Sequence, residues 1–337
     1  MPEMRKNPIT GDWTIIATER ARRPHKPTTE DGPLTTGEAR DPNCFFCYGN
    51  EHTTPPEVLV YREKPDLPNS SGWSLRVVTN KFSALNLDKE FCEEQDNSLN
   101  VCCYARGTAE VVIESPHHSL NTALYPEQQI ELLLRAYKER YITLAEEPSI
   151  KYVTMFKNNG SPAGASLSHP HSQIIATPVV PPVIQDEVEG AKKYYKENKS
   201  CVYCDMVKNE IKDGSRIIYE NDEFISFMPY ASRSPFETWV MPKFHNDSYY
   251  KLTDRQLKSL SEVWKKVLYK IYIGLDNPPY NYFIHTSPVQ EKTDKFYHWH
   301  MELIPKMTIM AGFELGTGMY INIAVPEQSA EYLRAIN

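Results

Sequence analysis

The sequence predicts an α+β chain in which one structural unit is used twice. Three observations carry this. A cysteine and histidine pattern recurs in the same order in both halves. A long stretch with apolar residues at helical spacing occupies the same place in each half. Short β-rich runs flank that stretch both times. The expected division is 1–185 and 186–337.

In the first half, Pro8, Gly11 and Asp12 mark a turn and Trp13 to Ala17 a strand. Arg20, Arg22 and Arg23 then cluster before Pro24, and residues 26–43 read as loop. Cys44-Phe45-Phe46-Cys47, followed by Gly49, has the shape of a zinc knuckle, in which a turn lets two thiolates converge. Trp73 to Asn80 is a strand, and 88–100 a polar surface excursion. The strand from Ala109 ends at Pro116, with His117 and His118 just beyond. Pro126 opens a helix to about Glu147, with Ile130, Leu133, Leu134, Tyr137, Tyr141 and Leu144 as its core stripe. Tyr152 to Phe156 is a strand feeding the polar run Lys157-Asn158-Asn159-Gly160-Ser161, which leads to Ser166 and His169-Pro170-His171.

The second half replays this. Asp186 to Asn198 reads as a linking helix. Cys201-Val202-Tyr203-Cys204 lies 157 places after the first knuckle. Arg216 to Phe227 is strand, and the run from Trp239 ends in Pro242 and His245, 127 places after His118. Thr253-Asp254-Arg255-Gln256 is a capping box. Leu257, Leu260, Val263, Trp264, Val267 and Ile271 line the buried face of the helix it opens. Tyr280 to Ile284 is a strand, and His298-Trp299-His300 falls 129 places after His169-Pro170-His171. Ala311 to Asn322, with three glycines in seven residues, reads as a loop of close backbone approach.

Composition limits the partners. A net charge of −7 argues against nucleic acid. No apolar run approaches the roughly 20 residues that cross a bilayer, and the N-terminus lacks a signal-peptide core. A cytoplasmic location is expected. Seven cysteines in a reducing compartment argue against disulfides. Each half offers two cysteines and two histidines, the closed set of a structural zinc. The expected ligands are Cys44, Cys47, His118 and His169, then Cys201, Cys204, His245 and His298.

The chemistry centres on Ser168-His169-Pro170-His171-Ser172-Gln173. In an extended segment His169, His171 and Gln173 face one way. One imidazole can bind a metal while the next acts as nucleophile or proton carrier, and the amide can donate to a phosphoryl oxygen. The second half has Glu302 at the place of Gln173. A carboxylate there repels an incoming phosphate, so catalysis is expected in the first half and the second is a degenerate copy.

His-Pro-His-x-Gln after an Asn-Gly-rich loop resembles the histidine-triad superfamily, specifically its galactose-1-phosphate uridylyltransferase branch, over Asn7 to Asn322. The resemblance implies two fused histidine-triad folds, their antiparallel sheets joined as a half-barrel flanked by helices, and a homodimer. It implies that His171 attacks a nucleotide α-phosphorus and holds the nucleotidyl group covalently, with Gln173 and Ser166 on the phosphoryl oxygens. By position, Arg20 and Arg23 reach phosphates, Asn80 lies against the nucleoside, Asn158 joins the substrate loop, and Phe313 and Glu314 reach the hexose. The implied substrates are a nucleotide-sugar and a sugar 1-phosphate, with uridylyl transfer between glucose and galactose phosphates first. Ser172 and Lys81 depart from several uridylyltransferases, and the Gly312-Phe313-Glu314-Leu315-Gly316-Thr317-Gly318 segment, with the second Cys-x-x-Cys, looks closer to an ADP-glucose phosphorylase branch, which makes adenylyl transfer the alternative. From another class, the alternative is a silent zinc-stabilised nucleotide-binding protein.

Overall fold

The computed structural model of the chain describes residues 2–19, 39–63, 68–88, 93–95 and 99–337. Its strands are β1 (Glu3–Lys6), β2 (Trp13–Ile16), β3 (Glu57–Arg62), β4 (Trp73–Thr79), β5 (Glu93–Gln95), β6 (Val101–Cys103), β7 (Thr108–Ile113), β8 (Tyr152–Asn159) and β9 (His171–Thr177). The second half adds β10 (Ile217–Glu220), β11 (Phe224–Phe227), β12 (Thr238–Pro242), β13 (Tyr280–His285), β14 (His300–Pro305) and β15 (Tyr320–Asn322). The helices are α1 (Glu127–Ala145), α2 (Pro182–Asn198), α3 (Val202–Asp213), α4 (Asp254–Gly274), α5 (Gly312–Thr317) and α6 (Pro326–Arg334).

Ten strands form one antiparallel sheet in the order β10-β11-β12-β14-β13-β8-β9-β7-β4-β3. Each half contributes five strands with the same internal order, so the repeat seen in the sequence is a repeat of topology. The halves meet where β8 pairs with β13, from Tyr280 opposite Asn159 to Ile284 opposite Met155. There is therefore one continuous sheet, with α1 and α4 on one face and, over the second half, α2 and α3 on the other.

Why α1 and α4 lie there follows from their apolar stripes. Leu133, Leu134 and Tyr137 from α1, and Leu260, Trp264 and Val267 from α4, enter one core with Val112, Val153, Ile174, Ile284 and Met301 of the sheet. Pro126 takes the N-cap of α1. Thr253 and Gln256 form both hydrogen bonds of the capping box on α4. With that face covered, alternation along β9 leaves His171 and Gln173 on the other.

Several expectations need correction. The 216–227 run is two strands, because the Asn221 side chain accepts from Glu223 N and Phe224 N and turns the chain. The linking helix starts at Pro182 and is followed by α3, which the sequence reading did not separate. The glycine-rich 311–322 segment is the short helix α5 closed by Gly318 at φ 69°, then β15. The N-terminal strands, counted with 1–185, pack on the other half. Strand β2 runs parallel to β15, Arg5 bonds Glu327 at 2.9 Å, and Ile9 sits in a core with Trp239 and Tyr297.

Candidate active site and metal centres

The first cysteine pair sits in turns after Asp41, with Cys47 N donating to Cys44 O. Glu51, 5% exposed, braces these turns by accepting from Gly49 N and Trp73 Nε1. Across from them stand His118, beyond the end of β7, and His169, in the bend before β9. His169 is thus not on the strand with His171, as the alternation suggested; the strand begins two residues later. His118 Nδ1 is 3.3 Å from Cys47 Sγ, and His169 Nδ1 is 3.7 Å from both thiols. A zinc ion with bonds of about 2.1–2.3 Å needs tetrahedral ligand atoms roughly 3.6 Å apart, so this set fits. Outer partners orient both rings: His169 Nε2 donates to Ser115 O at 2.8 Å, and His118 Nε2 meets Ser168 Oγ. Burial pushes the His169 imidazole down to about 3, which keeps it the neutral ligand a metal requires.

The second set fits equally. His245 Nδ1 lies 3.2 Å and His298 Nδ1 3.7 Å from Cys204 Sγ, and His245 Nε2 donates to Asp294 O. All four ligand atoms of each set lie within 4.8 Å of one another. The two knuckles differ locally, because Cys201 is the N-cap of α3 and Cys204 lies in its first turn.

His171 opens β9 on the face opposite α1 and α4. Its Nδ1 donates to the carbonyl of His169 at 2.8 Å, which leaves Nε2 with the free lone pair. Burial, with the charge of Lys157 adding, holds the ring below the usual imidazole range against the pull of that carbonyl. Phe46, inside the knuckle, packs edge-on against it at 5.4 Å. Sequence reasoning passed over Phe46, although its place between two ligands was the available signal. Gln173 follows on the same face, half-buried, opposite Val111 and Phe156. Ser172 points the other way, into the core, where its hydroxyl accepts from Tyr137 at 2.6 Å. It therefore does not share the face that His171 and Gln173 occupy.

The remaining candidates divide. Ser166 is exposed on the loop before His169. Asn158 accepts from Asn281 Nδ2 at 2.8 Å across the seam, and Asn281 also donates to Ala163 O, so this pair tethers the loop. Asn80 caps the turn after β4 by accepting from Phe82 N, with Lys81 exposed beside it. Phe313 is 43% exposed on α5, and Glu314 accepts from Ala311 N. Among the described residues no hydrogen bond, ion pair or ring contact links either to His171 or Gln173. Arg20 and Arg23 lie outside the described residues.

In the second half the matching imidazole is sealed. His300 is 0% exposed against 8% for His171. Trp239 stacks on it at 4.5 Å, and Tyr203 covers it at 5.5 Å. Glu302 lies 3.3 Å from its Nε2, and Arg233 is paired with Glu302 and Glu237. Glu187, His285, His300 and Glu302 form a third buried set able to hold a cation. The repeat could not reveal it, because Glu187 belongs to α2. A cavity of about 550 Å³ opens beside it, lined by Arg233, Glu237, Trp239, Glu302 and Tyr320. It lies on this sealed half, and neither His171 nor Gln173 lines it.

Comparison with known proteins now decides the family. Residues 1–181 match the N-terminal domain and 187–337 the C-terminal domain of galactose-1-phosphate uridyl transferase. The chain belongs to the galactose-1-phosphate uridylyltransferase family. Within it, the chain is 38% identical to ADP-glucose phosphorylase of Arabidopsis thaliana, over all of this chain and 93% of that one. It is 29% identical to galactose-1-phosphate uridylyltransferase of Thermotoga maritima, over 99% and 98%. The crystal structure of the Arabidopsis thaliana enzyme with bound ADP-glucose covers all of both chains with a TM-score of 0.84 at 36% identity. A uridylyltransferase structure covers 99% of this chain and 98% of that one, with a TM-score of 0.75 at 26% identity.

Proposed function

We propose that this family member is a hexose-1-phosphate nucleotidyltransferase working through a covalent nucleotidyl-histidine at His171. The observation that carries the reading is the His171 ring: its Nδ1 proton is committed to the His169 carbonyl, and Nε2 is left as a lone pair on the reactive face. In the first step Nε2 attacks the α-phosphorus of a nucleotide-sugar. The bond from that phosphorus to the bridging oxygen breaks, and sugar 1-phosphate leaves with the electron pair. Gln173 and Ser166 donate to the phosphoryl oxygens as charge builds there. In the second step an oxygen of the acceptor phosphate attacks, the phosphorus–nitrogen bond breaks, and His171 returns neutral. Arg20, Arg23, Asn80 and Asn158 serve the nucleotide, and Phe313 with Glu314 the hexose, in this reading.

Cys44, Cys47, His118 and His169 would hold one zinc, and Cys201, Cys204, His245 and His298 a second. Bound zinc there braces the turns and the start of β9, since four protein ligands leave no open position. The same reading includes a cytoplasmic homodimer. No helix among the described residues is long and apolar enough to cross a membrane.

Two nucleotides are supported by different observations. The family models and the relatives at 29–30% identity support uridylyl transfer from UDP-glucose to galactose 1-phosphate. The 38% identity to an ADP-glucose phosphorylase supports adenylyl transfer from ADP-glucose to phosphate, and on overall likeness we favour it. Intact-protein mass after brief exposure to each nucleotide-sugar tests the covalent step; no nucleotidyl adduct with either makes the chain a silent binding protein. Initial rates of the two full reactions then choose the base. A tenfold excess of one is about 1.4 kcal/mol of transition-state preference.

A further inference from the structure

The core directly behind His171 is charged. Lys157 comes from β8 on the helix-facing side of the sheet and is 1% exposed; Glu114, just past β7, is 0% exposed. Lys157 Nζ donates to Glu114 Oε2 at 2.7 Å and to the carbonyl of His171 at 3.2 Å. Glu114 Oε2 also accepts from Thr122 Oγ1 at 2.9 Å. The β8–β9 ladder ends at Phe156 opposite Gln173, so the His171 carbonyl lies beyond it and meets the ammonium instead. The Glu114–Ser115 segment also holds the neighbouring residues. Glu114 N donates to Pro170 O, and Ser115 O accepts from His169.

The second half supplies an internal control. Val111 faces Gln173 in one ladder as Trp239 faces Glu302 in the other. Phe156 faces Gln173 as Phe283 faces Glu302. Counting along each strand from these pairs puts Pro242 at the place of Glu114, Ile284 at that of Lys157 and Met301 at that of Ser172. All three are buried and apolar. The scaffold therefore packs without an ion pair at this spot. Buried ion pairs are weak sources of stability, and well-packed apolar residues can replace them without loss. The charged version stands only behind the imidazole that remains accessible.

We propose that Lys157, held by Glu114, is a positioning residue for the nucleophile. Its ammonium fixes the main chain at the His171 carbonyl, and thereby the direction in which Nε2 meets phosphorus. The inference rests on the covalent reading above. Misplacing a reacting atom by about 1 Å can cost on the order of 100-fold in rate.

The test uses the full chain with its metals. Lys157→Met alone strands a buried carboxylate and can fail to fold. The working variant is therefore Lys157→Met with Glu114→Gln, which removes both charges together. Equilibrium binding of the nucleotide-sugar should stay within about threefold of the parent. The single-turnover rate of nucleotidyl-histidine formation, read by quenched-flow mass spectrometry, should fall about 100-fold. Glu114→Gln alone, which leaves the amine on the carbonyl, should keep the rate within about tenfold. A double variant that reacts at the parent rate overturns the inference, as does a Glu114→Gln rate as low as the double variant's. If the unmodified protein forms no adduct, the covalent reading itself falls and takes the inference with it.

Discussion

His171 and Gln173 belong to a strand whose one face is core and whose other face carries the proposed chemistry, so their replacement should separate function from folding. His171→Gly is expected to keep the circular dichroism spectrum and metal content of the parent. It should lose nucleotidyl transfer by about 10⁴-fold or more, because covalent catalysis loses its acceptor atom. Retention of a nucleotidyl adduct in that variant would be falsifying for His171. His171 was legible as the candidate because two imidazoles and an amide at alternate positions are costly ornaments on a solvated strand. What stood behind it was legible only in part. Val112 and Met155 place Glu114 and Lys157 on the core parity of their strands, and a charge at a core position is a signal. Read as part of a polar loop, Lys157 lost that signal. Ser172 lost its meaning in the opposite sense, since a difference from relatives that points into the core is a packing difference.

Elements carried the sequence reading best where one period ran long enough to be unambiguous. The stripes of α1 and α4 and the capping box at Thr253 left no rival assignment. Thr253→Ala should cost about 1 kcal/mol in urea unfolding, the usual loss of an N-cap acceptor, with activity unchanged. The structure brings each Cys-x-x-Cys together with its two histidines, but the first pair is a turn and the second a helix start, because Cys-x-x-Cys suits both. That difference bears on a prediction. Elemental analysis should find about two zinc ions per chain. Cys201→Ser should lose one and retain measurable transfer, since its site braces the sealed half. Cys44→Ser should lose the other together with most of the covalent step, because His169 leads straight into His171. A count of one, with Cys201 and Cys204 alkylated in the folded chain, would show the second site absent.

At the scale of the whole molecule the two halves repeat in topology but not in independence. Nothing local in the sequence announces that β2 pairs with β15, some three hundred residues away, since parallel pairing at that distance leaves no hairpin signal. Yet that pairing decides how the chain can be cut. A fragment 1–185 keeps α1 and its core but strands β1, β2 and Ile9 without the surface they cover. It also bares β8, a central strand whose edge groups are satisfied by β13. A fragment 186–337 bares β13 and loses the cover over Trp239. We expect neither fragment alone to give a cooperative unfolding transition or a monodisperse elution profile. Co-expressed, the two should associate through the β8–β13 ladder, the Asn158–Asn281 bond and the β2–β15 pair. Transfer activity should then reappear in the mixture. An isolated 1–185 fragment that folds cooperatively and forms the nucleotidyl adduct would show that the second half is dispensable. The sealed site at His300 would then have no part in holding the reactive one in place.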